Sequence, residues 1–254
     1  MSASQPVSVN VHVPSDPGVP LKSSPVVESL ERQILSGFLA AGTVLPPEPE
    51  LCRSLGISRT VLRDAVRSLV ARGLLDVRQG RGTIVTEPSA EPFSEAMVAL
   101  LARSGLSMRE VLQTRGVIET LLAEAAAKNG TGEDWARLDA AYTALRLAVA
   151  QGDMVQAELA HSAFHAGILM AAHQPVLALL LGPMSQITLV TGAAAVEEGS
   201  PEAWETQAHL TILGSLKRGD AQAAANAMRK HFEQAMHPRY DRFLDRPFGA
   251  AFFG

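Results

Sequence analysis

Between Glu48 and Thr86 the residues follow an order that few folds accommodate. A helix-prone Glu48–Leu55 leads into a Gly56-Ile57 turn, then a longer helical stretch over Ser58–Arg72. Ser58 suits the cap of that second helix, and Val61, Leu62, Ala65, Val66, Leu69 and Val70 give it an apolar stripe at helical spacing. Leu74–Arg78 and Thr83–Thr86 are β-prone and flank Gln79-Gly80-Arg81-Gly82, where two glycines permit the tight turn of a hairpin. Helix, turn, helix and hairpin together predict a winged helix-turn-helix. An earlier helix starts at Ser24-Pro25, carries Val26, Val27, Leu30, Ile34 and Leu35 on one stripe, and ends near Gly37.

Charge supports a nucleic-acid role only when read by segment. The whole chain carries a formal charge of -4, yet Arg53 to Arg81 holds seven arginines against the acids Asp64 and Asp76. Taken alone, Arg59, Arg63 and Arg67 read as a solvated helix face. Their place on the second helix of this arrangement instead suits the major groove. There, arginine bonds guanine bidentately, and hydroxyls and helix-terminal amides hold phosphates. Ser58, Arg59, Thr60 and Arg63 are therefore DNA-contact candidates, with the Gly80-Arg81-Gly82 tip reaching an adjacent minor groove.

The remainder organises around this domain, expected at 23–87. Residues 1–22 hold four prolines and no period that buries a face, so they are expected to be a disordered leader. Residues 88–92 read as a linker. Ala- and Leu-rich amphipathic segments follow at roughly 93–104, 107–128, 133–151, 153–171, 174–192, 201–218 and 220–243, predicting an all-α bundle of six to seven helices over 93–243, with 244–254 as a tail. The fold class is thus mainly α. A Gly192–Gly199 loop is given no role. The single cysteine, Cys52, forms no internal disulfide, no secretory signal is evident, and no run of about 18 uncharged apolar residues occurs. The expected location is cytoplasmic, with no membrane span.

Six of the seven histidines, at 161, 165, 173, 209, 231 and 237, fall in the helical part. His161 and His165 stand four apart, so one helix face projects both imidazoles one turn apart, as paired metal ligands require. A lone helical histidine is more often an ordinary surface or core residue. Four together, with His209 and His231 on later helices, point to a shared interior site.

The N-terminal residues Leu45-Pro46-Pro47-Glu48-Pro49-Glu50-Leu51, Leu55 through Ala65, Gly73-Leu74-Leu75 and Gly80-Arg81-Gly82-Thr83 resemble the signature of the GntR regulators. The resemblance implies DNA contact through Arg59, Thr60 and Arg63 and through the wing at Gln79, Gly80 and Arg81. Pro49 stands where the family commonly has Arg, which implies one lost contact. The helical part is similar to the FCD effector domain of the FadR-type branch. Arg115-Gly116-Val117-Ile118-Glu119, Phe164-His165, His209-Leu210, Gly219-Asp220 and His231-Phe232 carry that similarity. It implies a divalent cation on His165, His209 and His231, with His161 in place of the family's Asp. An all-nitrogen set tilts preference to zinc or nickel over manganese; the alternative is a polar pocket without metal.

These features lead to a DNA-binding regulator, expected to be a repressor. It would act as a homodimer on a palindromic double-stranded operator and respond to a small organic or sugar acid. Arg115 is the candidate for the acid's carboxylate, against a surface ion pair with Glu119 at i, i+4. Activation and a metal-responsive regulator remain open alternatives. A metal hydrolase using His161, His165 and His209 with Glu205 or Glu119 as base is disfavoured. No His-Glu-x-x-His or nucleophile elbow is present, and a DNA reader would serve no hydrolase.

Overall fold

The computed structural model describes residues 23–182 and 203–253, which divide into two compact units between Pro92 and Phe93. The expected leader, the Gly192–Gly199 loop and the second half of the predicted 174–192 helix lie outside the described residues.

In the first unit α1 (Ser23–Leu35), α2 (Glu48–Leu55) and α3 (Arg59–Ala71) precede β1 (Leu75–Arg78) and β2 (Gly82–Val85). The strands pair antiparallel, with Leu75 opposite Val85 and Arg78 opposite Gly82. A bridge from Val44 to Ile84 adds the segment before α2 to the wing. Gly80 and Gly82 take φ values of 76° and 86°, a region closed to most side chains, so the tip of the hairpin depends on glycine. Val26, Leu30, Leu62, Ala65, Leu69, Leu75 and Val85 form the core. The predicted stripe of α3 thus buries its Leu62, Ala65 and Leu69 positions, while Val70 at its edge is 39% exposed.

The second unit runs through α4 (Glu91–Arg103), α5 (Met108–Asn129), α6 (Gly132–Gln151), α7 (Met154–Ala171), α8 (Pro175–Leu181), α9 (Ala203–Lys217) and α10 (Ala221–Ala235). These occupy the seven predicted segments, and α4 begins inside the expected linker. Capping boxes start α5 (Ser107 with Glu110) and α6 (Thr131 with Asp134), each cap contributing about 1 kcal/mol. Met108, Leu138, Phe164, Ile168, Ile212, Leu216, Met228 and Phe232 lie in one apolar core. A Cβ at Gly116 would stand 3.1–3.4 Å from Phe232, which is how closely α5 and α10 approach.

The last predicted helix, 220–243, stops at Ala235. Pro238 lacks an amide hydrogen and holds His237 extended, at ψ 142°, so the chain passes into a 3₁₀ turn at Pro238–Tyr240. α11 (Asp241–Leu244) and α12 (Phe248–Phe253) follow. The stretch read as a tail therefore packs. The Met108 amide donates to Arg246 at 2.9 Å, the Phe248 amide donates to Leu106 at 2.7 Å, and the Phe248 ring is buried in the core. No described helix is long and apolar enough to cross a membrane.

Candidate metal centre and nucleic-acid interface

In the first unit the candidate DNA contacts share an exposed surface character. Ser58 caps α3, its hydroxyl oxygen accepting from the Val61 amide at 3.3 Å. Arg59, Thr60 and Arg63 follow it, all exposed, and Gln79, Gly80 and Arg81 form the exposed tip of the wing. Among the described residues Arg59 and Arg81 make no ion pair. Arg63 donates to Glu48 Oε2 at 3.0 Å, its side chain 60% exposed. A pair so exposed contributes at most about 1 kcal/mol, so a phosphate can displace Glu48. Pro49 sits in the first turn of α2 and offers no side-chain donor, as the substitution for Arg implies.

The second unit gathers His161, His165, His209 and His231, all buried, with one ligand nitrogen from each lying within 4.8 Å of the others. Two come from α7, one from α9 and one from α10. His165 Nε2 is 3.0 Å from His161 Nε2 and 3.4 Å from His209 Nε2. His173 and His237 stay apart from the cluster. His173 faces Asp134 at 2.8 Å, and His237 caps the 3₁₀ turn.

Protonation follows from the surroundings. Burial, then the neighbouring imidazoles and Arg115, push His161 and His231 well below the ordinary 6.5, so both are neutral at pH 7 and available as ligands. His165 Nδ1 hydrogen-bonds Glu119 Oε2, which places its proton on Nδ1 and turns the Nε2 lone pair toward His161 and His209. Burial opposes charge on Glu119, yet Arg115 and His165 outweigh it and hold the carboxyl at about 2. Arg115, 1% exposed, donates from Nε at 2.9 Å and Nη2 at 2.7 Å to Glu119 Oε1, and its guanidinium lies 5.3 Å from the Phe232 ring centre. Arg115 and Glu119 thus form an ion pair that is buried, where the sequence suggested a surface one.

The donor set fits a cation. A tetrahedral zinc with Zn–N bonds of about 2.0–2.1 Å separates its nitrogens by about 3.3–3.4 Å. Two pairs here stand at 3.0 and 3.4 Å, and all four nitrogens lie within 4.8 Å of one another, so the set closes on a cation with small ring movements. Lone pairs facing one another across such gaps repel unless a proton or cation lies between them.

Sequence reasoning named Glu119 as a helix partner of Arg115 and as a possible base, and missed its hold on His165. That contact spans 46 residues, and no local pattern signals it. It also missed Asp134. Burial opposes ionisation there, but hydrogen bonds from Thr131, His173 and Arg137 hold the carboxyl well below its usual range, fixing the start of α6 to the end of α7. The Thr131-Gly132-Glu133-Asp134 capping pattern was the available signal. The Glu205 side chain lies outside the described residues.

A winged helix-turn-helix joined in one chain to an all-helical unit with a buried polar centre defines a DNA-binding regulator of transcription. The family model "Bacterial regulatory proteins, gntR family" matches residues 22–85, and "FCD domain" matches 110–234. The chain is 30% identical over 175 residues to the Glc operon transcriptional activator of Escherichia coli (strain K12), spanning 67% of this chain and 68% of that protein. It is 29% identical to the Uxu operon transcriptional regulator (76% of each chain) and 25% identical to the Galactonate operon transcriptional repressor (81% of this chain, 91% of that one), both from the same strain. A solved Streptococcus agalactiae GntR structure superposes with a TM-score of 0.62 at 24% identity, over 83% of this chain and 97% of that one. The chain belongs to the GntR family, with an FCD domain behind its DNA reader, and is a regulator and not an enzyme.

Proposed function

We propose that the protein is a cytoplasmic, homodimeric repressor whose palindromic operator is read by Ser58, Arg59, Thr60 and Arg63 of α3 and by Gln79, Gly80 and Arg81 of the wing. Operator affinity is set by a small organic or sugar acid at a divalent metal, zinc or nickel, held by His161, His165, His209 and His231. The observation that carries the reading is the convergence of buried imidazoles, with the Nδ1 of His165 already bound to a carboxylate. When bound, the cation would supply a Lewis-acid position for the acid's carboxylate as a fifth ligand beyond the four imidazoles. Arg115 lends the wall a buried positive charge, for which that carboxylate competes with Glu119. The Galactonate operon repressor, which this chain matches over 91% of its length, is named for a sugar acid and supports the effector class. The Glc operon relative is named an activator, so repression rests on the proposed mechanism and activation is its alternative.

Metal analysis of untagged protein beside His165→Ala tests the site. Stoichiometric zinc or nickel in the wild type, lost in the variant, is expected. Absence from both after reconstitution overturns it. A second reading makes the metal itself the signal, because four imidazoles suffice to fill a tetrahedral shell. It predicts that metal alone, with no acid, changes operator affinity.

A further inference from the structure

Four neutral imidazoles bring no negative charge to a cation, and all four of these are buried. A dication taken out of water needs anions nearby, because its desolvation is otherwise uncompensated. Two carboxylates stand behind the ligands. Glu119 Oε2 bonds Nδ1 of His165, but its other oxygen already holds Arg115, so part of its charge is spent on that cation. The second is Glu158, one turn before His161 on α7 and 13% exposed at its side chain. Its Oε1 lies 3.8 Å from His161 Nδ1. That is longer than a hydrogen bond, and with His161 neutral it is a carboxylate beside an imidazole N–H, not an ion pair. It falls on the ring nitrogen opposite the one that faces His165 at 3.0 Å.

We infer that Glu158 is a positioning residue for the metal centre: it accepts from Nδ1–H of His161, directs Nε2 to the cation and supplies negative charge that the four imidazoles lack. The two histidines of α7 are then backed alike, His165 by Glu119 and His161 by Glu158. Such outer carboxylates fix the tautomer and the ring orientation of a ligand and raise its basicity. Loading the site draws the 3.8 Å contact into a hydrogen bond. The inference rests on the metal reading above and adds to it the residue that makes a histidine workable at position 161.

Zinc affinity, measured by chelator competition on full-length protein at pH 7.5 or so, tests it in a cycle of wild type, Glu158→Gln, His161→Asp and the double variant. Glu158→Gln is expected to weaken zinc binding tenfold to a hundredfold, with the unfolding midpoint of the metal-free protein unchanged and the nitrogen count by X-ray absorption preserved. In the His161→Asp background the same change is expected to cost clearly less, because no Nδ1–H remains there for Glu158 to accept. A residue serving only the packing of α7 would cost the same in both backgrounds. Wild-type affinity in Glu158→Gln overturns the inference and leaves the metal site standing, as does an equal loss in both backgrounds. Wild-type protein that binds neither zinc nor nickel overturns the metal reading and the inference with it.

Discussion

Replacing Glu119 by Gln removes a charge while keeping the shape, and its cost can be worked from the site. The carboxyl is held at about 2 against an ordinary 4.5. At 1.36 kcal/mol per unit the gap corresponds to about 3 kcal/mol at neutral pH, within reach of the roughly 3–5 kcal/mol seen when one member of a buried ion pair is lost. Because the folded pKa is depressed, this stability is complete above about pH 4.5 and disappears as pH falls toward 2. Thermal unfolding of chelator-treated protein at pH 7 should show a midpoint lower by roughly 6–12 °C in Glu119→Gln, at 2–4 °C per kcal/mol for a unit of this size. Arg115→Met with Glu119→Gln should cost less than the sum of the two single changes, since no unpaired charge remains. A Gln variant within about 1 kcal/mol of wild type would refute the claim that Arg115 and His165 hold an ionised carboxylate in the core.

Further outcomes are expected. Arg59→Ala should weaken operator binding by about 1–3 kcal/mol and relax sequence preference at one position, whereas Arg81→Ala should lower the slope of affinity against salt by about one, both read by fluorescence anisotropy. Gly116→Val, whose side chain meets Phe232, should destabilise the helical unit by about 1–3 kcal/mol in urea unfolding. The metal-free protein should lose stability as pH falls below 6.5. The folded state keeps His161 and His231 neutral while the unfolded chain takes up protons; a flat profile between pH 7 and 5.5 would count against burial of these rings.

The DNA reader was legible because its determinants are local. Ser58 caps the helix it begins, Gly80 and Gly82 turn the hairpin they occupy, and the stripe of Leu62, Ala65 and Leu69 buries where its period places it. The metal centre was legible only in part. His161 and His165 declare themselves by spacing within one helix, but their meeting with His209 depends on the packing of α7 against a helix 44 residues on. The count of four histidines on three helices suggested a shared site, and the resemblance to the FCD domain was what implied His165, His209 and His231 as one ligand set. Glu119 shows the same limit, since its bond to Arg115 is a helix-turn spacing and its bond to His165 is not. Phe248 was read as tail because a short run after Pro247 has no period of its own, and only the finished core gives it a place.

The most direct test of the account is operator affinity titrated with sugar acids, galactonate among them, on a palindrome selected from random-sequence DNA, comparing metal-loaded wild type, chelator-stripped wild type and His165→Ala. The account predicts that an acid weakens DNA binding in the loaded protein alone. An equal response in the stripped protein or in His165→Ala would place the effector away from the histidines and contradict it.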